Sequence, residues 1–372
     1  MKPAFHGGAF YEAIGVDFAN LDSAGQVINA DVLDAWFDPS PRVIDALRRH
    51  LPLMLRTSPP AYSDGLIAAI SEVRGVPAAN IVAGGGSSDL IFSLFPQIVG
   101  KDERVLILDP MYGEYQHILE NVLGAHVIRH RLLKEQQFCV DSTALLADIR
   151  RARPRLVALV NPNSPTGRYL PREQLRALLE QIPQDTPVVV DETYIEYIGA
   201  HASMERDVLR FPNLVIIKSM SKVYALSGLR VGYLVAQQRT IEKLARVIPP
   251  WAVSFAGQLA GIQALDDATY YQQKYQATHQ LRDELTQSLS RIPWLHVYPS
   301  TTNFVLVELL EQHMSAQEIV QRLKAERIYL RNADSMSVHF GDKFLRIAVK
   351  ARDQQQRIVA GLAGCADREA VI

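Results

Sequence analysis

Cysteine is nearly absent from this chain of 372 residues: Cys139 and Cys365 stand far apart and fit neither a disulfide framework nor a zinc knuckle. They read as two ordinary thiols of a reducing compartment, and no metal site is expected. No sign of charge dominates either, since 39 Lys and Arg face 40 Asp and Glu, for a net charge of -1. Such a balance supplies no field that would hold nucleic acid or an anionic membrane, so any charged ligand must be met locally. No stretch approaches the roughly 18 uninterrupted apolar residues of a membrane span. Where a signal peptide needs an apolar run, the first ten residues hold Lys2, Pro3, His6, Gly7 and Gly8, so a cytoplasmic location is expected. The absence of a fixed-period repeat or low-complexity tract excludes solenoids and propellers.

What is present is an average globular composition, 48% hydrophobic and 21% charged, in a chain long enough for one large domain and a smaller one. From about residue 66, helix-length segments alternate with short apolar runs at Ile81–Ala83, Val105–Leu108, Leu156–Val160, Val188–Val190, Leu214–Ile217 and Val231–Val235. Runs so short and so rich in Val, Ile and Leu describe strands buried on both faces of a mostly parallel sheet. An α/β large domain over residues 42–250 is expected. Beyond Pro249-Pro250 the pattern changes to one long helical stretch near Ser254–Ser290. A strand at Asn303–Val307, a helix at Ser315–Glu326, strands near Ile328 and at Phe344–Val349, and a closing helix follow. This segregation predicts a small α+β domain from 251–372, with residues 1–41 packing against either domain.

Five local features lie in order along the large domain. Gly84-Gly85-Gly86-Ser87-Ser88-Asp89 follows a predicted strand and opens a helix, where amides approached closely through glycine suit a phosphate. Alone it reads as a flexible turn, and its spacing matches neither a Walker loop nor the dinucleotide fingerprint. Asp109-Pro110-Met111-Tyr112 also follows a strand, where loops of open α/β sheets meet ligands; Tyr112 is placed either to stack on a flat ring or to cap the core. Asn161-Pro162-Asn163-Ser164-Pro165-Thr166-Gly167 is a rigid turn rich in hydrogen-bonding groups. Val188-Val189-Val190-Asp191-Glu192-Thr193-Tyr194 ends an apolar strand in a carboxylate that needs a partner. Last come Lys218-Ser219-Met220-Ser221-Lys222 and Gly228-Leu229-Arg230-Val231-Gly232, lysines among hydroxyls with an arginine close by. Together these describe sites for a phosphate arm, a ring nitrogen wanting a carboxylate, a phenolic oxygen and an aldehyde wanting a lysine, which is pyridoxal 5'-phosphate.

On these residues the chain resembles the fold-type I, class I/II aminotransferases. It is most similar to the histidinol-phosphate aminotransferase and threonine-phosphate decarboxylase group, with matching motifs from about residue 6 to about residue 350. The resemblance implies a mainly parallel seven-stranded sheet sandwiched by helices. It further implies that Lys222 forms the Schiff base with the cofactor aldehyde and later shuttles a proton, and that Asp191 holds the ring nitrogen protonated. Tyr194 would donate to the phenolic oxygen and Tyr112 would stack on the ring. Ser87, Ser88, Ser219, Ser221 and Arg230, with the turn at Gly86, would take the phosphate. Tyr62, in Pro60-Ala61-Tyr62-Ser63-Asp64, would reach the phosphate of a partner subunit, giving a homodimer with shared sites. Arg346 would hold the substrate carboxylate and Arg331 its distal group.

The chain departs from the group in three places. Ser164 replaces the asparagine that contacts the phenolic oxygen, so that either its hydroxyl or Asn163 must serve. His6-Gly7-Gly8 resembles the decarboxylase branch, yet the Asn-Pro segment that follows is replaced by Asn29-Ala30-Asp31-Val32-Leu33-Asp34-Ala35-Trp36-Phe37-Asp38-Pro39. Its aspartates point to a cationic distal group on the substrate, with Asp34 and Trp36 as candidate contacts, or are helix caps and turn residues. After Arg346 the chain reads Ala348-Val349-Lys350-Ala351 where relatives carry a small polar pair. The expected function is an amino-group exchange between an L-amino acid, histidinol-phosphate-like or cationic, and a 2-oxo acid. A decarboxylase, eliminase or cyclase on the same scaffold is the alternative, and a catalytically inactive dimeric binding protein the distant one.

Overall fold

A computed structural model describes residues 7–310 and 314–365; His6 lies outside the described residues. The strands are β1 (Ile28–Ala30), β2 (Ile81–Gly84), β3 (Arg104–Asp109), β4 (His126–Arg131), β5 (Leu156–Val160), β6 (Val188–Asp191), β7 (Leu214–Ser219), β8 (Gly232–Val235), β9 (Leu295–Val297), β10 (Phe304–Leu309), β11 (Ile328–Asn332) and β12 (Phe344–Ala348). The helices are α1 (Tyr11–Ile14), α2 (Pro41–Arg56), α3 (Asp64–Arg74), α4 (Ser87–Leu94), α5 (Gly113–Gln116), α6 (Ser142–Ala152), α7 (Arg172–Leu179), α8 (Gln238–Leu244), α9 (Phe255–Leu265), α10 (Ala268–Leu289), α11 (Ala316–Lys324) and α12 (Arg352–Ala363).

A seven-stranded sheet in the order β2-β8-β7-β6-β5-β3-β4 forms the centre of the molecule. It is parallel except for β8, which pairs antiparallel with both β2 and β7. Every residue of β5, β6 and β7 is buried, which is why these strands are unbroken apolar runs rather than alternating ones. β4 has no such run. As the edge strand it carries His126, Arg129, His130 and Arg131 in six residues, the polar sequence that keeps a sheet edge from pairing further.

The second sheet, β1-β11-β12-β10-β9, has five strands. Here β1 pairs in parallel with β11, Ile28 opposite Ile328 and Ala30 opposite Leu330. The N-terminal segment is thus committed to the small sheet, and residues 31–34 emerge from it into the cleft between the two sheets. The long helical stretch after Pro250 is two helices broken at Asp266-Asp267. Aspartate side chains compete for backbone hydrogen bonds, and Asp267 leaves helical geometry at φ -111 and ψ 51. α9, on the C-terminal side of Pro250, packs against α2 and α3 beside the large sheet, whereas α10 packs against β9, β10 and α12. No helix among the described residues is long and apolar enough to cross a membrane.

Candidate active site

The carboxyl ends of the parallel strands all open on one edge of the large sheet, the edge where open α/β folds hold ligands. Because β8 runs the other way, its beginning lies at that edge, and this brings Arg230 beside the loop after β2. The contact between these segments is close. A Cβ on Gly232 would stand 2.9 Å from the Ser87 amide nitrogen, and one on Gly86, at φ +97, would stand 2.5 Å from Arg230 Nη2. Ser87 and Ser88 at the start of α4, Ser219, Ser221 and Arg230 therefore line one cavity, with glycines where the segments approach. This is a cradle with the charge and shape of a phosphate site.

Asp191 ends β6, with only 3% of its surface exposed. Its Oδ1 accepts from the Thr193 amide at 2.9 Å and the Thr193 hydroxyl at 2.6 Å, and its Oδ2 accepts from the Tyr115 hydroxyl at 2.9 Å. Burial raises its pKa, and the bonds from Thr193 and Tyr115 oppose that rise. Such a carboxylate, desolvated but bonded, could face a cationic ring nitrogen. Tyr112 donates to Glu114 Oε2 at 2.7 Å, and the Ser88 hydroxyl donates to the same oxygen at 2.9 Å. Burial and the Glu114 charge hold Tyr112 well above the usual phenol range. Burial raises Tyr194 as well, against the pull of Arg346.

Lys222 sits in the loop after β7, its Nζ 2.8 Å from Asp34 Oδ1 and 3.5 Å from Ser227 Oγ. Burial by itself would raise Asp34, but Lys222, Ser227 and Lys350 hold it below the ordinary carboxylate range.

The opposite wall comes from the small sheet. Arg331 and Arg346 are cross-strand partners on β11 and β12. Arg346 donates from Nη1 to Ser164 Oγ at 3.1 Å and from Nη2 to the Asp31 carbonyl at 3.0 Å, while its buried Nε makes no hydrogen bond. Burial pulls Arg346 down to about 10, with Tyr194 opposing. The Asp31 carboxylate accepts from the Gly8 amide at 2.8 Å and lies 3.5 Å from Arg331 Nη1.

The cavity so enclosed is lined by Ser87, Ser88, Tyr112, Ser164, Asp191, Tyr194, Ser219, Ser221, Lys222, Arg230, Arg331 and Arg346, twelve residues singled out from sequence. Gly86 backs the cradle, and Asp34 reaches the cavity through Lys222. Asn163 turns away, its amide donating to the Pro110 carbonyl at 3.0 Å and to Thr166 at 3.1 Å, so Ser164 is the one of the pair that faces the cavity. Trp36 does not line it: the indole donates to Thr278 Oγ1 at 2.8 Å and packs on α10. Tyr62 is 61% exposed on the outer surface. Sequence reasoning missed the supporting roles of Thr193, Tyr115 and Glu114. Thr193 could have been found two residues past Asp191, the spacing of an Asx turn. Tyr115 carries no such local signal.

Among the described residues no group of His, Cys, Asp and Glu could hold a metal ion. The donor set fits pyridoxal phosphate: an anion cradle, a buried carboxylate, a lysine in the same cavity, and a guanidinium with an unused nitrogen.

Comparison with known proteins agrees. A histidinol-phosphate aminotransferase of Halalkalibacterium halodurans is 28% identical over 88% of this chain and 86% of its own. The crystal structure of histidinol-phosphate aminotransferase from Sinorhizobium meliloti in complex with pyridoxal-5'-phosphate has a similar fold (TM-score 0.84, 23% identity, 98% of this chain and 95% of that one). So does L-threonine-O-3-phosphate decarboxylase from Porphyromonas gingivalis (TM-score 0.75, 22% identity, 92% and 100%). Aminotransferase class I and II sequences match residues 28–361, nearly the whole described chain, and the protein belongs to that family.

Proposed function

We propose that this aminotransferase is a homodimer that uses pyridoxal 5'-phosphate to exchange an amino group between a 2-oxo acid and an L-amino acid with a cationic distal group. The carrying observation is that Lys222, Asp191 and Arg346 line one and the same cavity. When bound, the cofactor supplies an aldehyde for amines and a ring that stores electrons from the substrate Cα. The chain supplies the rest. Lys222 would provide the amine that links the cofactor and the base that moves a proton at the substrate Cα. Asp191 would face the ring nitrogen and keep it protonated, and Tyr194 would donate to the phenolic oxygen. The Arg346 fork would hold and orient the substrate carboxylate.

The distal preference is supported by charge balance. Arg331, which would meet a distal phosphate, is already faced by Asp31, whose Oδ1 is buried without a hydrogen bond. Once Arg346 is engaged, that end of the cavity presents the Arg331–Asp31 ion pair rather than a surplus of positive charge. The dimer is supported by exposed apolar side chains: Leu51 and Leu55 on α2, then Tyr62 and Trp251. The Trp251 amide donates to the Ala61 carbonyl at 2.8 Å, which fixes the turn that carries Tyr62.

Holoenzyme mixed with cationic, neutral and phosphorylated amino acids tests the reading, with products read by mass. A 2-oxo acid and an aminated cofactor, fastest with a cationic substrate, are expected. Release of carbon dioxide with the cofactor unchanged would replace transamination by decarboxylation. A preference for phosphorylated substrates would overturn the distal assignment. Sedimentation and a cofactor Kd for Tyr62→Phe, raised several-fold in a dimer, test the subunit arrangement.

A further inference from the structure

Two cavity-lining side chains from different elements end on the same carboxylate oxygen. Tyr112 is the residue before α5, and its hydroxyl donates to Glu114 Oε2 at 2.7 Å; Ser88, in the first turn of α4, donates to that oxygen at 2.9 Å. Glu114 itself is buried and is not part of the cavity wall. The next residue along α5, Tyr115, donates to Asp191 Oδ2 at 2.9 Å, and the Tyr112 and Tyr115 rings meet edge to face with centroids 6.3 Å apart. α5 is four residues long, too short for its own backbone bonds to fix its place, so side-chain bonds at its start decide where the aromatic wall stands. A buried carboxylate needs donors, and those of Glu114 come from the lining of the cavity.

We infer that Glu114 is a positioning residue for the cofactor: by holding the Tyr112 and Ser88 hydroxyls on one oxygen it ties the aromatic wall of the cavity to the phosphate cradle, so that ring and phosphate arm are received in one register. The inference rests on the reading that this cavity takes pyridoxal phosphate with Tyr112 against the ring. A tyrosine tethered at its hydroxyl as well as at its backbone has little torsional freedom left to lose when a ring is laid on it. A hydroxyl carries one hydrogen, and that of Ser88 is spent on Glu114. Ser88 thus braces the cradle, and the hydroxyl donors for an anion are Ser87, Ser219 and Ser221. Because both bonds fall on a single oxygen, the role calls for an acceptor at that point rather than for a charge.

The test is equilibrium dialysis of pyridoxal phosphate against the apoproteins, together with the visible circular dichroism of the bound cofactor at saturation, which reports how the ring is held rather than how fast it turns over. Glu114→Ala is expected to raise Kd about tenfold, roughly the value of two hydrogen bonds, and to weaken the dichroic band. Glu114→Gln keeps a carbonyl oxygen that accepts both hydroxyls and is expected to bring Kd back to within about twofold of the parent and to restore the band. Tyr112→Phe and Ser88→Ala each lack one bond; singly each is expected to raise Kd about threefold, and neither adds a further loss in the Glu114→Ala background. Glu114→Gln as weak as Glu114→Ala overturns the proposal, since charge and not position would then be at work. So does full additivity with Tyr112→Phe, or an undiminished dichroic band in a folded Glu114→Ala protein. Where Glu114→Ala does not fold, an unchanged Kd and dichroic band in Tyr112→Phe overturns it equally. A parent protein that takes up no pyridoxal phosphate refutes the underlying reading, independently of Glu114.

Discussion

Ser164 Oγ accepts from Arg346 Nη1 at 3.1 Å, a bond between the loop after β5 and strand β12 that joins the two sheets across the cavity. It gives the serine at this position a part of its own, which is to aim the guanidinium. Ser164→Ala should raise KM for the amino acid about five- to tenfold, the value of roughly one hydrogen bond, with little change in cofactor Kd. Arg346→Lys loses the planar fork and should raise KM by about a hundredfold. Steady-state kinetics with a fixed 2-oxo acid, together with cofactor titration, separates the two effects.

Asp191 is held by three donors, two from Thr193 and one from Tyr115. Thr193→Val and Tyr115→Phe each remove one, leaving the burial of the carboxylate less offset and its pKa higher still. Each should weaken pyridoxal phosphate about tenfold, and Asp191→Asn considerably more. Equilibrium dialysis of the apoproteins measures this directly. A Kd unchanged in both single variants would show that the bonds merely stabilise the turn.

The phosphate cradle depends on the absence of a side chain at Gly232, where a Cβ would lie 2.8 Å from the Gly86 carbonyl carbon and 2.9 Å from the Lys218 carbonyl oxygen. All of the atoms it would meet are backbone, so they cannot swing aside. Gly232→Ala should lower stability by about 1–3 kcal/mol and cut cofactor affinity at least tenfold. Gly25→Ala, where nothing lies within 4 Å, should leave both unchanged in the same thermal and binding assays.

Glu192, next to Asp191, points away from the cavity into a buried cluster with Lys218 3.5 Å away. It accepts from Ser203 at 2.5 Å and the Met204 amide at 2.7 Å. Burial pushes its carboxyl up from 4.5 to about 7, against the pull of Lys218. Between those values the folded protein keeps a proton that the unfolded chain releases. The contribution of Glu192 to stability is therefore greatest below pH 4.5 and declines as pH rises to 7. Glu192→Gln cannot titrate, so the fall in Tm from pH 5 to pH 7 should be smaller in the variant than in the parent.

Much of the site is legible along the chain because its parts are short, contiguous and tied to strand ends. Gly84–Asp89, Asp191 and Lys222 each follow an apolar run, and in a parallel sheet that placement alone puts them on one edge. The same reasoning recovers six of the seven strands of the large sheet, and misses β4 because an edge strand has no need to be apolar. It joins α9 to α10 because helical periodicity continues past Asp266-Asp267.

What the sequence by itself determined is the kind of chemistry: residue types in a given order, each beside a buried strand. What only the tertiary structure decided is which of those residues meet. Ser164 rather than Asn163 faces the cavity, Trp36 leaves it for α10, Tyr115 supports Asp191 from 76 positions away, and Lys350 comes to lie beside Asp34 and Lys222. The reason is physical. Local propensity and periodicity act over one helix or strand, whereas the pairing of β1 with β11 and the packing of one sheet against the other bring together segments with no short-range signal between them.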